Sequence, residues 1–261
     1  RSEKILQDRL FANEKIECVW GSQLDEIVGE EGPMGGVTGV RIKNVKTDEL
    51  SEISAHGVFI AIGHAPSTSL FAGKIDINER GYINTAPDST ATDVPGVYAA
   101  GDVTNTPAFV YTAAFEGKIA VENAFSGTDN KADYSSLPWV VFTDPQIGGA
   151  GLDEVQAEAK GIPFEVSKLE LKDVPRAIAA NDTRGFIKLI RNTETDKLIG
   201  ARVVAPEGGE LIQQLSMAIK YGITVKDLAD SFYPYLTLGE GIKLAAITFG
   251  KDVSKLSCCA S

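Results

Sequence analysis

Apolar positions recur at helical spacing in several stretches of the chain. Between about 109 and 125, Val110, Ala113, Ala114, Gly117, Val121 and Ala124 fall every three or four residues, and most are small. Small residues let a helix approach a sheet or a flat ligand closely. "GELIQQLSMAIKYG" places Leu211, Ile212, Leu215, Ala218 and Ile219 on one face of a second helix. A last helix begins near Gly239 and buries Ile242, Ala245, Ala246 and Phe249. Shorter helices are expected over "SEKILQDRLFA" at residues 2 to 12 and over "LDEVQAEAKG", with Gly161 as the stop signal.

Other runs carry strand signals. "KIECVWG", "QLDEIVGE" and "GVTGVRIKNV" read as successive strands, with "EEGPMGG" as the turn between the last two. Cys18, in the first of them, reads as a small buried core residue. "GVFIAIG" (57–63) reads as a buried strand leading into the loop "HAPST", where His64 is a loop residue rather than a base. "GVYAAGD" (96–102) is another, ending in Gly-Asp. "WVVFT" is a strand, and "GFIKLIRN" and "KLIGARVVA" flank "TETD" as a β-hairpin. The polar stretch "SGTDNKADYSSLP" (126–138) marks a domain boundary.

Composition narrows the class. The 261 residues suffice for two ordinary domains, and the 43% apolar content is that of a globular protein. No apolar run approaches the roughly 18 to 20 residues that span a bilayer, so no membrane helix is expected, and no signal peptide is read. The chain opens on Arg1, which suggests a fragment. Three cysteines fit a reducing cytoplasm better than a disulfide scaffold. A net charge of −11 argues against nucleic acid and acidic lipid as partners.

The chemistry begins at Gly101 and Asp102. A strand ending in Gly-Asp can set a carboxylate beside a cofactor hydroxyl, with the glycine allowing close backbone approach. In its context, "TATDVPGVYAAGDV" resembles the second flavin-binding motif of the FAD-dependent pyridine nucleotide–disulfide oxidoreductases. The resemblance implies that Asp102 bonds the ribityl chain of FAD, with Gly101 beside it. It also implies that Phe109 and Val110 offer backbone to the isoalloxazine ring. "FIAIGHAPST" is similar to the segment that joins the NADPH domain back to the FAD domain in that family.

Within that family the two halves look different. Residues 1 to about 103 resemble bacterial thioredoxin reductases through "SEKILQDRLF", "GVTGVRIKNV" and "GYINTAPDSTATDVPGVYAAGDV". From about Pro107 the chain resembles mercuric reductases through "FVYTAAFEGKIA", "VVFTDPQ", "DVPRAIAANDTRGFIKLI", "VVAPEGGELIQ", "YPYLTLGEGIKLAAITFGKDV" and the closing "KLSCC". The seam falls at the Gly-Asp motif that both share, so a hybrid or a fragment is expected. The implied architecture is α/β, a truncated Rossmann-like FAD/NAD(P)-binding region followed by an α+β dimerisation domain with an antiparallel sheet. Residues 1–57 would be a remnant of the NAD(P)H-binding domain, 58–126 the C-terminal part of the FAD-binding domain, and 136–261 the interface domain of a homodimer.

The tail "KLSCCAS" holds Cys258 and Cys259 side by side. Hg²⁺ is soft and prefers thiolate sulfur. A free thiol has a pKa of about 8.5, but metal binding displaces the proton, so a small thiolate population suffices. The resemblance implies that Cys258 and Cys259 take Hg(II) from small thiol carriers and deliver it to a redox-active pair on the other subunit. It also places Tyr235 where related disulfide reductases carry a proton-shuttling histidine. Tyrosine, with a pKa of about 10, shuttles protons poorly at neutral pH but can donate to a thiolate or steady a metal–thiolate adduct. Glu240 is either a partner of that site or, as Thr237-x-x-Glu240, half of a capping box for the last helix.

Some family chemistry is missing from the sequence. No Gly-x-Gly-x-x-Gly follows a strand, and there is no Cys-x-x-Cys or Cys-x-x-x-x-Cys pair. Three readings follow. The chain is part of an FAD- and NADPH-dependent enzyme reducing Hg(II) to Hg(0), or an incomplete module that dimerises and binds metal, or a thioredoxin reductase fragment with a foreign tail. In each case apolar surface is expected to stand exposed.

Overall fold

The structure is a computed structural model, and it describes residues 10–30, 32, 35–60 and 65–252. The chain divides into two compact units, Arg1–Pro66 and Ser67–Ser261.

The first unit is built on a three-stranded antiparallel meander of β1 (Ser22–Gly29), β2 (Val37–Asn44) and β3 (Leu50–Ser54), with β2 in the middle. Val40 sits opposite Ile27 on one side and Ile53 on the other. Two register shifts interrupt the first pairing, between Leu24 and Glu26 and between Val28 and Gly29. Arg41 holds β2 to β1 through ion pairs with Asp25, at 2.7 Å, and with Glu26. The β2–β3 turn is fixed by the Asn44 side chain, which accepts from the Lys46 and Thr47 amides. Strand β3 escapes the sequence pattern because "LSEIS" lacks the β-branched density of its neighbours.

Three expected strands are not there. "KIECVWG" runs as turn and irregular chain, and Cys18 is half-buried rather than a core residue. The described part of "GVFIAIG", residues 57–60, forms no strand and leaves Phe59 97% exposed. Runs that are apolar on both faces form strands when neighbouring strands pair with them, and among the described residues no strand pairs with residues 57–60. The rest of that run and His64 lie outside the described residues, as does the expected helix at 2–12 except for helical residues 10–12. "GVYAAGD" contributes only an isolated bridge, Ala91 to Tyr98, before a short 3-10 turn at Gly101–Val103.

In the second unit, helix α1 (Val110–Ser126) ends at Gly127, whose φ of 64° is the left-handed stop. Its buried face is Thr112, Glu116 and Ile119. Of the small-residue face read from the sequence, Ala113 and Gly117 are half-buried, while Val110 is 88% and Val121 59% exposed. The polar segment after α1 is tied down. Asn123 bonds Asn130 through both ends of its amide, and Ala132 is buried.

The remainder is a five-stranded antiparallel sheet with helices packed on it. Its strands are β4 (Trp139–Val141), β5 (Gln146–Gly151), β6 (Phe164–Glu170), β7 (Phe186–Asn192) and β8 (Leu198–Ala205), in the order β4-β5-β8-β7-β6. Two short helices, α2 (Glu154–Ala159) and α3 (Pro175–Ala179), occupy connections, and α2 starts at a capping box of Asp153 and Gln156. Helix α4 (Gly208–Lys220) packs on β5 and β8, burying Leu211, Ile212, Leu215 and Ala218. Helix α5 (Val225–Asp230) and helix α6 (Glu240–Ile247) pack together, and α6 covers β6 and β7. One continuous core results, with Leu169, Ile187, Leu189, Val203, Leu215 and Ile242 among its fully buried members. In β5 a Cβ on Gly149 would stand 2.3 Å from the Trp139 ring and one on Gly148 2.9 Å from Ile212, so close neighbours leave no room for a side chain at either glycine.

Candidate functional site

The first group of candidate residues surrounds the turn at Gly101. The chain arrives extended at Ala100, and Gly101 takes φ 74°, which glycine adopts without strain. A Cβ there would also lie 2.7 Å from Ala113 Cβ on α1, so both φ and space require glycine. The Thr104 hydroxyl and amide donate to the Gly101 carbonyl at 2.7 and 2.9 Å and close the turn. Gly101 is buried and Asp102 is exposed, so the turn presents a carboxylate from a fixed backbone.

Helix α1 begins eight residues further on. Its N-cap Phe109 is extended and makes no side-chain capping bond, and no acidic residue lies in its first turn. The amides of that turn therefore keep their partial positive charge and free hydrogen-bonding capacity. Phe109 stacks on Tyr111 at 5.0 Å with rings nearly parallel, and Val110 stands open to solvent. The Tyr111 hydroxyl donates to the Pro138 carbonyl at 2.6 Å, and burial pushes its titration up.

Beneath the turn lies a residue that the sequence reading did not single out. Glu116 is 1% exposed. One of its oxygens accepts the Gly101 amide at 2.6 Å, and the other accepts the Tyr134 hydroxyl at 2.6 Å. Burial, and then the bond to Glu116, push the Tyr134 phenol well above its usual range. The available signal was the i, i+4, i+7 spacing of Thr112, Glu116 and Ile119, which a charged member disguised.

The second group lies at the start of α6. Tyr235 is 67% exposed, and Leu236 beside it takes φ 60°. Thr237 Oγ1 donates to the Pro234 carbonyl at 2.9 Å and accepts the Glu240 amide at 3.3 Å. The expected capping box does not form. Gly239 is the N-cap, makes no side-chain bond, and Glu240 is already the first helical residue. Its carboxyl turns inward instead. Glu240 is 7% exposed, and Oε2 has no hydrogen-bond partner among the described residues. Burial pushes this carboxyl above the usual carboxylate range, against an opposing pull from Lys243.

No hydrogen bond, ion pair or ring contact among the described residues joins the Gly101–Val110 group to the Tyr235–Glu240 group. Cys258 and Cys259 lie outside the described residues. Among the described residues no cluster of three or more His, Cys, Asp and Glu gathers as an ion site, and no helix is long and apolar enough to cross a membrane.

The cofactor fit can be judged from these features. A glycine turn that admits no Cβ, an exposed carboxylate on it and an uncapped helix N-terminus nearby suit the polyol and ring-edge side of a flavin. The glycine-rich loop that would cradle its pyrophosphate is not in the sequence.

Comparison with known proteins bears on the same residues. Residues 1–117 match the model of the pyridine nucleotide-disulphide oxidoreductases, and residues 137–246 match that of their dimerisation domain. A protein named mercuric reductase from Staphylococcus aureus is 41% identical over 97% of this chain and 48% of its own length. Another from Streptomyces lividans is 39% identical over 97% of this chain and 52% of its own. One from Shewanella putrefaciens is 48% identical over 76% of this chain. The chain thus spans about half the length of the curated relatives it matches. Alignments covering 97% of the chain leave out only a few of its residues, so most of residues 1–103 match these relatives as well. Among solved structures, LpdA from Mycobacterium tuberculosis superposes with a TM-score of 0.74 at 26% identity, over 95% of this chain and 52% of that one.

Proposed function

The chain belongs to the pyridine nucleotide-disulphide oxidoreductase family, and on that premise we propose that it is part of a flavin-dependent enzyme reducing Hg(II) to Hg(0) with NADPH. The observation that carries the reading is 41% identity, along 97% of the chain, to a protein named mercuric reductase. NADPH supplies two electrons, and Hg(0), NADP⁺ and a proton result.

Each residue has a role in this reading. Cys258 and Cys259 capture Hg(II) from small thiols by ligand exchange and release their protons as the metal binds. Tyr235, exposed at the start of α6, donates to a thiolate or a metal–thiolate adduct across a homodimer formed through residues 136–261. Glu240 supplies a buried carboxyl with one free oxygen behind it. Asp102 holds the ribityl hydroxyls of FAD. The turn glycine Gly101 and the backbone at Phe109 and Val110 border its ring. A bound flavin supplies two-electron transfer between a nicotinamide and a soft acceptor. Residues 1–57 belong to the NAD(P)H-binding domain and 58–126 to the FAD-binding domain in this division, and the whole acts in the cytoplasm.

A second reading has one observation in its favour. The sequence holds neither a glycine-rich pyrophosphate loop nor a spaced redox cysteine pair, so the chain alone would be a dimerising, metal-binding module without turnover. A titration with FAD separates the two. Visible flavin absorbance that stays with the protein on gel filtration and bleaches on NADPH addition supports the enzyme. A protein that stays colourless supports the module.

A further inference from the structure

We propose that Glu116 is a positioning residue whose buried carboxylate clamps the Gly101–Asp102 turn and ties it to the segment leading into the five-stranded sheet. The proposal rests on the flavin reading of Asp102 for its purpose and on geometry alone for the clamp.

Both oxygens of Glu116 are used, and each by one donor at 2.6 Å. The two donors converge on a carboxyl that is 1% exposed, so both bonds are sheltered from water. The first bond takes the amide of Gly101, the residue whose φ of 74° sets the direction of Asp102. Losing it would free the Gly101 amide, because the turn's other bonds, from Thr104 to the Gly101 carbonyl and from the Ile83 amide to the Val103 carbonyl, grip carbonyls only.

The second bond reaches the segment between α1 and β4. Tyr134 donates to Glu116 and packs edge-on against Phe115 of α1, with ring centroids 6.4 Å apart. Two residues on, the Ser136 carbonyl accepts the Ser216 hydroxyl of α4 at 2.6 Å. A continuous path of short bonds therefore runs from Gly101 through Glu116 and Tyr134 to the helix that packs on β5 and β8. A segment whose composition reads as a flexible boundary is held at both ends.

Three variants test the clamp: Glu116→Gln, Glu116→Asp and Tyr134→Phe. Gln keeps the length but offers one carbonyl oxygen for two donors and turns an NH₂ toward the other. Asp keeps the charge but is one methylene too short. In Glu116→Gln the Gly101 amide should exchange with solvent about tenfold faster or more, the size expected for one lost buried bond. Glu116→Asp should not rescue it. In Tyr134→Phe the Gly101 amide should stay protected while amides 132–137 exchange faster. Packing loss alone would not move one further signal. The phenol of Tyr134, facing Glu116 and Asp88, should titrate at lower pH in Glu116→Gln. Unchanged Gly101 exchange together with unchanged Tyr134 titration would overturn the clamp. The flavin arm is read separately: Glu116→Gln should bind FAD about tenfold more weakly than wild type, and equal affinity would overturn the positioning role. Absence of flavin uptake by the wild type would overturn the reading of Asp102 while the exchange data still decide the clamp.

Discussion

Ile187, Leu189 and Val203 of the five-stranded sheet are fully buried, whereas Leu24, Ile27, Leu50 and Ile53 of the three-stranded sheet all stand exposed. Both sheets are antiparallel and both alternate apolar with polar residues. What differs is cover. Helices α4 and α6 seal the larger sheet, and each full burial of a large aliphatic contributes about 1.5–3 kcal/mol. The meander buries only Gly39 among its strand residues, and a small uncovered sheet has little stability of its own. The interface half is thus a self-sufficient fold. The first unit has strands and turns in place, but none of the apolar side chains on its three described strands is buried.

Mutations can break that contrast. Leu189→Ala should cost about 2–5 kcal/mol in urea unfolding, while Ile53→Ala in the meander should cost less than about 0.5 kcal/mol. Equal losses would mean that the meander has a core after all. Gly101→Ala should come next, at about 1–3 kcal/mol, because a Cβ meets Ala113 and φ is positive. Differential scanning calorimetry would read it.

A smaller effect with a sign of its own concerns Glu240. Its carboxyl titrates above the ordinary value of 4.5 in the fold because it is buried. The folded state therefore holds the proton after the unfolded state has lost it. The stability associated with this group is full below the ordinary value and is lost as pH rises through the folded value. Wild type should fall behind Glu240→Gln as pH is raised from about 4 to about 8, and a constant gap across that range would mean that the carboxyl is paired. The smallest effect is expected at Arg41. Its pairs with Asp25 and Glu26 are part-exposed, so Arg41→Ala should cost less in urea unfolding than any of the changes above, and less still at high salt.

The same contrast decides what could be read in the sequence. The β7–β8 hairpin and helices α4 and α6 were legible because each buries one face, and burial writes a period into the chain. Strand β5 was not, since "QIGGAG" is glycine-rich where Trp139 and Ile212 crowd it, and propensity counts glycine against a strand. "GVFIAIG" and "GVYAAGD" misled in the opposite direction. They have the apolar content of buried central strands, but among the described residues no strand pairs with either. On α1 the small residues pointed to an inward face, and the structure buries Thr112, Glu116 and Ile119 instead. The Gly-Asp turn was legible as a motif. Its support by Glu116 was not, because a contact across fifteen residues between a backbone amide and a carboxylate leaves no local pattern. Likewise the Thr237–Glu240 spacing suggested a cap, and the helix starts two residues too late for it.

The mercury-handling role proposed for this chain works through its paired thiols, Cys258 and Cys259. Its most direct test is a Hg(II) titration, in the presence of a competing small thiol, of wild type beside Cys258→Ser/Cys259→Ser. The wild type should hold one Hg(II) per chain against the competitor, and the double variant should release it. Equal retention by the two proteins would contradict the account.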